Sequence, residues 1–365
     1  MARLGVDLTA CWRDRVGMVT HAVELTRAML QIAPVGSVTI FSSRERVPGL
    51  TGDYEAVLSP HRHELANKAL WLPYVEAAAG LDAILYPYWP PPPRRLPGAP
   101  PAAMFVHDLA FRLRPAEVPW QQRLYLGTVL PRALETAFAI MVPSAATRED
   151  LLDCYPMAKL GDRVEVVPEG PTPLPSGGTL PMGLRPGYVL AVGTLEARKN
   201  YGRLVAAHRS LKGTGAPLVI AGRPGWNGEA PPAGKDVHVL GHVDDATLAA
   251  LYDNAALLAF PSLYEGFGLP LLDAMTRGLP AIVGNRGALA ELGGHAVVCV
   301  DPEDEGAIAA ALTRLLGDAG LRARLAEAGR RRAKGFSWEG AASSALQFLS
   351  AAQKGHQTIA LGSAE

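Results

Sequence analysis

The sequence predicts an α/β protein built of two Rossmann-like, doubly wound domains that face each other across a cleft. Short, nearly continuous apolar runs alternate with helix-length amphipathic segments, the pattern of parallel strands covered by helices on both faces. The pattern stops between Pro168 and Gly187, where 11 of 20 residues are Pro or Gly, and then starts again. A length of 365 residues, 48% hydrophobic and 19% charged, suits two cores of ordinary globular composition.

In the first half the apolar runs are Leu4–Leu8, Val38–Phe41, Ala83–Tyr86, Ala103–Val106, Ala139–Val142 and Val164–Val167. They lack the alternation of a half-exposed strand, so they belong inside a sheet. After the first run, Met18, Ala22, Leu25 and Met29 recur at helical spacing, which puts Glu24 and Arg27 on other faces. Pro90–Pro93 with Pro97, Pro100 and Pro101 reads as a rigid surface loop. The Pro/Gly stretch can continue neither a helix nor a central strand and reads as a linker. The second set of strands is Tyr188–Val192, Leu218–Ala221, Val237–Leu240, Ala256–Phe260, Ala281–Val283 and Val297–Val300, with helices at roughly Gly202–Lys212 and Ala307–Leu316. The end is all helical. Leu321–Lys334 is one helix, and Ser337 caps a last one, with Glu339 in its first turn, to about Leu349. Ala352–Glu365 is small and polar and expected to fray. The expected divisions are residues 1–170, a linker 171–187, a second domain 188–335, a helix 336–352 and a flexible tail 353–365.

Several function classes drop out. Lys+Arg and Asp+Glu both number 35, and a net charge of zero argues against a nucleic-acid partner. No apolar run approaches the ~18 residues of a membrane span, and the opening MARLGVDL lacks a signal peptide's apolar stretch. Cys11, Cys154 and Cys299 offer neither a disulfide framework nor a zinc spacing. The expectation is a cytoplasmic protein with no integral membrane segment. Arg330, Arg331 and Arg332 with Lys334 close a helix, where cations complement the dipole; a peripheral contact with an acidic membrane stays open as the alternative. No G-x-G-x-x-G follows Leu8 and no P-loop occurs, which argues against a nicotinamide dehydrogenase. His61-Arg62-His63-Glu64 lacks the second His of H-E-x-x-H, and no Asp-x-Asp pair is present to hold a divalent cation on phosphates. Neither a metal nor a cofactor is therefore expected.

Four constellations carry chemistry. The densest runs from Ser262 to Met275, after the strand that ends at Phe260. Gly266 and Gly268, around Phe267, let the backbone turn tightly, and the helix that starts near Gly268–Pro270, with Leu269 in its first turn, presents an anion-binding mouth. Glu265 on the loop and Asp273 eight residues on could hold hydroxyls of a sugar and a ribose while that mouth takes the phosphates between them. The second is Gly193-Thr194-Leu195-Glu196-Ala197-Arg198-Lys199-Asn200, where Arg198 and Lys199 are adjacent cations at the mouth of a βα loop. Arg offers a fork for phosphate oxygens and Lys a point charge. The third is His107-Asp108 at the end of a first-domain strand, where an imidazole can donate, accept or carry charge near neutral pH. The fourth is Arg15-Val16-Gly17-Met18, where Gly17 would let backbone N–H groups approach a phosphate. Its rival reading is a plain turn.

With these motifs in place, the chain resembles the retaining glycosyltransferases of the GT-B fold, family 4, from Gly17 to the final helix and most densely from Val189 to Val300. The family's Glu-x7-Glu element corresponds to Glu265 through Asp273. The resemblance implies that Glu265 binds the donor sugar, Asp273 the nucleotide ribose, and Arg198 and Lys199 the diphosphate. It implies that His107 faces the transferred sugar from an acceptor-side first domain, that Gly17 belongs to the loop below the diphosphate, and that Ser337–Leu349 is a helix crossing back to pack on that domain. The chain departs from the family pattern in three places. Position 273 is Asp rather than Glu, Glu169 stands where Asn is frequent, and Met18 and Val19 follow Gly17 where Arg and an aromatic are frequent.

The reaction this implies moves a hexose from a nucleoside-diphosphate sugar, of GDP-mannose or UDP-sugar type, to an acceptor hydroxyl with retention of configuration. The acceptor is a saccharide, lipid-linked or natural-product molecule. Arg198, Lys199 and the Gly266–Gly268 turn would take the charge that develops on the leaving diphosphate without a metal. Gly193 would approach the phosphates, and Gly222-Arg223 with His242-Val243, after neighbouring strands, would edge the base. Two alternatives of the same fold are a sugar-nucleotide epimerase and a catalytically weak donor-binding subunit of a partner enzyme. Release of nucleoside diphosphate only with an acceptor present would argue against the first, and donor hydrolysis by the purified chain would exclude the second.

Overall fold

A computed structural model describes residues 3–11, 17–52, 54–61, 63, 66–88, 90–158, 160–211, 215–225 and 233–362. Arg15 and Val16 before Gly17, Arg62 and Glu64 of the His61–His63 run, and Lys212 lie outside these residues. The chain divides into two compact units. One holds Met1–Arg112, Arg123–Gly170 and Ser337–Glu365; the other holds Leu113–Gln122 and Pro171–Phe336.

The first unit is built on a seven-stranded parallel sheet of β1 (Leu4–Asp7), β2 (Val38–Ser42), β3 (Glu55–Leu58), β4 (Ala83–Tyr86), β5 (Ala102–Phe105), β6 (Ala139–Val142) and β7 (Val164–Val166). Its order is β3-β2-β1-β4-β5-β6-β7, so chain direction across the sheet reverses at β1 and β4, the switch point of a doubly wound fold. Leu4 pairs with Val38 on one side and Ala83 on the other. Val6, Ile84, Leu85, Met104 and Ile140 are fully buried, as unbroken apolar runs require of central strands. The sequence reading overlooks β3, an edge strand whose ends Glu55 and Leu58 are exposed; a short, half-solvated edge has no continuous apolar run to show.

Three local expectations for this unit need correction. Glu24 on α1 (Gly17–Ile32) is buried rather than turned away, because Arg27 Nε one turn on donates to its carboxylate at 2.7 Å. Pro90–Pro92 are buried rather than on a surface loop. The buried Lys68 draws this segment in, donating from Nζ to Pro90 O at 2.8 Å while it pairs with Asp7 at 3.2 Å. The last helix, Trp338–Gly362, continues well past Leu349, since Ala351, Ala352, Gln353 and Lys354 are strong helix formers. Gln353 Nε2 donates to Asp82 O at 3.1 Å. This helix packs along α1 through Ala341, Ala342, Ala345 and Leu349, small side chains that let the backbones approach. Ser337 caps it, its Oγ accepting from Gly340 N at 3.0 Å.

The second unit repeats the architecture with six parallel strands: β8 (Val189–Val192), β9 (Leu218–Ala221), β10 (Val237–Gly241), β11 (Leu257–Phe260), β12 (Ala281–Gly284) and β13 (Val298–Val300). The order β10-β9-β8-β11-β12-β13 reverses at β8 and β11. Val189, Leu218, Ile220, Leu257 and Ile282 pack with Leu204, Ile308, Leu312 and Leu315 of covering helices to make its core. The Pro/Gly stretch from Pro171 is tied to this unit. Leu174 O and Pro175 O accept from Arg277, and Gly178 lies so close to Ala246 that a Cβ would meet its carbonyl oxygen at 1.8 Å. Leu113–Gln122 also group with this unit, which nothing in their composition signals. The basic run at Arg330–Arg332 has local work: Arg332 donates to Glu291 O and Leu292 O near the end of helix Gly287–Gly293. Among the described residues no helix is long and apolar enough to cross a membrane.

Candidate functional site

In an open α/β sheet, ligands bind outside the carboxyl ends of the strands where the order reverses. In the second unit those ends belong to β8 and β11, and the loops that follow them carry the residues singled out by sequence. After β8 the chain passes Gly193 at φ +140, makes a 3₁₀ turn at Ala197–Lys199, and enters helix Tyr201–Arg209 through Asn200. Gly193 is needed for space as well as conformation. A Cβ there would meet Lys199 Cε at 3.1 Å, and a Cβ on Gly222 would meet Gly193 O at 1.8 Å. Asn200 has φ 61, the left-handed region that Asn tolerates better than most residues. Its Nδ2 donates to Pro261 O at 3.1 Å and Pro302 O at 2.5 Å, and Leu263 N donates to Arg198 O at 2.8 Å, so the loops after β8 and β11 are laced together.

That lacing brings Arg198, Lys199 and Glu265 into one cluster. Arg198 Nη1 donates to Glu265 Oε2 at 2.7 Å and Lys199 Nζ to Oε1 at 2.6 Å, so each carboxylate oxygen holds one cation. Arg198 Nε also meets Glu196 Oε2 at 2.8 Å, and Lys199 Nζ sits 4.7 Å from the centre of the Phe260 ring. Burial raises the Glu265 carboxyl, but Arg198 and Lys199 outweigh it and hold the pKa at about 2. Burial pushes the Lys199 ammonium below its ordinary value, and the Glu265 charge opposes that. The carboxylate and the two cations, read in the sequence as holding different parts of a ligand, are thus in direct contact.

Beside the cluster, Gly268 at φ +117 opens helix Leu269–Arg277 with Pro270 in its first turn. A Cβ at Gly268 would meet Leu289 Cδ2 at 2.6 Å. Backbone N–H groups at such a helix start lack intrahelical partners, and the dipole there favours an anion. Gly266 lies in the turn before it, Phe267 is buried with its ring 6.0 Å from that of Phe336, and Leu269 is buried in the first turn. Asp273, also buried, accepts from Thr172 N at 2.7 Å through Oδ1. At the ends of β9 and β10, Gly222 N donates to Gly241 O at 2.8 Å, and Arg223 Nη2 lies 3.3 Å from His242 Nε2, with Val243 next in the chain. Sequence reasoning named Asn200 beside the basic pair without giving it a role, and it missed Tyr201, whose hydroxyl donates to Gly193 O at 2.8 Å.

The first unit holds the other two candidates. Gly17 opens α1 exposed, and a Cβ there would meet nothing within 4 Å. His107 follows β5; its Nε2 lies 2.8 Å from Pro87 O and its Nδ1 3.7 Å from Glu169 Oε1. Glu169, buried after β7, also lies 3.0 Å from Nδ1 of the buried His21 on α1. Burial pushes Glu169 up, yet the His107 and His21 imidazoles hold it at about 2; burial, then His107, pushes His21 down to about 4. His21 was not legible as polar machinery, because it sits on the apolar face of a helix.

Arg198 and Lys199 meet two carboxylates, Glu265 and Glu196, so the second-unit cluster carries no net charge of its own, and the pull on an anion comes from its cations together with the helix mouth beside it. Such a site can bind a polyanion such as a diphosphate and stabilise charge that develops on it. Comparison with known proteins shows the family of the chain and its fold. The family model described as glycosyl transferases group 1 matches residues 182–332. The O-antigen chain mannosyltransferase B of Escherichia coli is 32% identical over 256 residues, covering 65% of this chain and 67% of that protein. The MMP alpha-(1->4)-mannosyltransferase of Mycolicibacterium hassiacum is 42% identical over 110 residues, and the chain spans only 27% of its length. Among solved structures, the sucrose-phosphate synthase of Thermosynechococcus elongatus superposes over 100% of both chains with TM-score 0.68 at 20% identity, a likeness of fold.

Proposed function

Since the chain belongs to the glycosyl transferases group 1, we propose that it moves a mannosyl group from a nucleoside-diphosphate sugar, GDP-mannose before UDP-sugars, to a hydroxyl of a saccharide acceptor. The family makes it a glycosyltransferase; the donor, acceptor, stereochemistry and residue roles are our reading. The observation that carries this reading is the Arg198–Lys199–Glu265 cluster at the sheet's switch point. The preference for mannose rests on the names of the two mannosyltransferases it resembles.

In this reading the diphosphate lies against Arg198, Lys199 and the start of helix Leu269–Arg277, close to Gly193. The bond between the sugar's anomeric carbon and the phosphate oxygen breaks, and its electron pair leaves on the diphosphate. Fixed cations and helix N–H groups take up that charge without having to reorganise, so no divalent metal is required. Glu265 holds both cations in register and accepts from sugar hydroxyls. Asp273 accepts from the ribose, Arg223, His242 and Val243 edge the base, and His107 acts on the reacting sugar. The acceptor hydroxyl attacks from the face the diphosphate leaves, its oxygen bonding to the anomeric carbon and its proton passing to the departing phosphate oxygen, which retains configuration. We place this activity in the cytoplasm, in keeping with three free cysteines.

The test is turnover with GDP-mannose, UDP-glucose or UDP-galactose and an oligosaccharide acceptor, in excess chelator. Nucleoside diphosphate should appear only when donor and acceptor are both present, and product NMR should show the donor's anomeric configuration. Loss of turnover in chelator, restored by magnesium or manganese, would overturn the metal-independent reading; inverted product would overturn retention.

A further inference from the structure

We propose that His21, His107 and Glu169 form a transition-metal site in the first unit, suited to Zn2+. One ligand atom from each side chain lies within 4.8 Å of the others. The three come from separate parts of the unit: His21 from α1, His107 from the loop after β5, and Glu169 from the segment after β7. Their surroundings fix them. The His21 ring packs 4.0 Å from Phe105 and 5.7 Å from Trp338, and Gly170 lies so close to Trp338 that a Cβ would meet its backbone nitrogen at 2.5 Å.

The argument for a cation lies in the lone pairs. His107 Nε2 lies 2.8 Å from Pro87 O, an acceptor, so Nε2 carries the proton it donates, and Nδ1 is the ring atom left facing Glu169 Oε1. Once Nδ1 gives up its proton, as metal ligation requires, two acceptors face each other and a metal cation can stand between them. A shared proton calls for about 2.7–3.2 Å, and the gap is 3.7 Å. Ligands on a tetrahedral zinc with bonds of ~2.0–2.1 Å sit about 3.3–3.4 Å apart. Of the three separations, those from the two nitrogens to Glu169 Oε1, 3.0 and 3.7 Å, bracket that value, and the third lies within 4.8 Å. His21 Nδ1 reaches the carboxylate without the alignment of a hydrogen bond, and Nε2 has no hydrogen-bond partner among the described residues, although the side chain is 1% exposed. The Pro87 carbonyl behind His107 is the outer partner that orients a metal-bound imidazole. Two imidazoles and one carboxylate suit zinc and leave a fourth position open.

Metal here would occupy His107, the residue given a role on the reacting sugar, so zinc should inhibit transfer and chelator should restore it. The site itself does not depend on that reading. Its test is titration of zinc chloride into the full chain, stripped of metal, against a chromophoric chelator, with cobalt(II) absorption as a second readout. One zinc per chain and an intense four-coordinate cobalt spectrum are expected, both lost in His21→Ala and Glu169→Gln and both kept in Cys299→Ser, which removes the exposed thiol. Circular dichroism checks each variant's fold; His107→Ala, at a less buried position, serves in the same titration if a buried variant does not fold. No stoichiometric zinc in the parent chain, binding unchanged in the folded ligand variants, or weak six-coordinate cobalt bands would overturn the site.

Discussion

Glu265→Gln removes the charge on which two cations close, and the outcome can be worked through. The side chains of Lys199 and Glu265 are 7% and 8% exposed, and that of Arg198 is 20% exposed. Deleting one partner of a buried pair costs about 3–5 kcal/mol, because the other charge stays buried and uncompensated. Arg198 keeps Glu196 at 2.8 Å, so the loss falls mainly on Lys199. The Phe260 ring 4.7 Å from its ammonium offsets ~0.5–2 kcal/mol. Urea unfolding of the ligand-free chain should therefore show a stability loss of about 2–4 kcal/mol. Lys199→Met in the same chain should recover most of it, since an apolar replacement of a buried ion pair is neutral or better. Acid should separate the proteins too. Glu265 titrates at about 2 in the fold against an ordinary 4.5, so its stabilisation is complete above pH 4.5 and fades as pH falls towards 2; the variant lacks that component. Calorimetry should show the nucleotide sugar weakened and bare nucleoside diphosphate spared. A stability change below about 1 kcal/mol, or a double variant no better than the single, would refute the buried-pair reasoning. Equal affinity losses for both ligands would refute the sugar role of Glu265.

Three further outcomes follow from the same geometry. Arg198→Ala should lower donor kcat/KM roughly ten- to a hundredfold, the scale of a charged hydrogen bond, with an unchanged circular dichroism spectrum; near-normal kinetics would place the phosphates elsewhere. His107→Ala should depress kcat more than nucleoside diphosphate affinity, as measured by calorimetry, because it lies outside the unit that carries the basic pair. Asp273→Asn should weaken nucleoside diphosphate and nucleotide sugar alike while the fold persists, and Asp273→Glu should bring a small loss, since the carboxylate already holds Thr172 N at 2.7 Å.

What the sequence showed and what it hid divide along physical lines. Central strands were legible because burial on both faces writes a continuous apolar run, as in Ala83–Tyr86 and Leu218–Ala221. β3 was not, because an edge strand such as Glu55–Leu58 needs no such run. The loops after β8 and β11 were legible because glycine, charge and a helix start crowd into a few residues there. The bond from Arg198 to Glu265 was not, since it spans 67 residues and local spacing says nothing of it. Asn200 could be seen but not its reach to Pro261 and Pro302. His21 looked like any polar residue on a packed helix; only the fold brings it to Glu169.

The route of the chain has a consequence for how the protein is made. The first unit is left at Gly170 and taken up again at Ser337, when the helix beginning at Trp338 comes back to α1. On the ribosome the first sheet emerges early, yet the side of α1 that the last helix covers stays open until the codons beyond Trp338 are read. The second unit has its whole sequence out first. Synthesis therefore reverses the usual order in which the N-terminal part is finished before the rest. A premature stop between Phe336 and Trp338 would spare the strands and loops of the basic cluster and strip the unit translated first. A nascent chain stalled there is the form in which a holding chaperone should be found on α1.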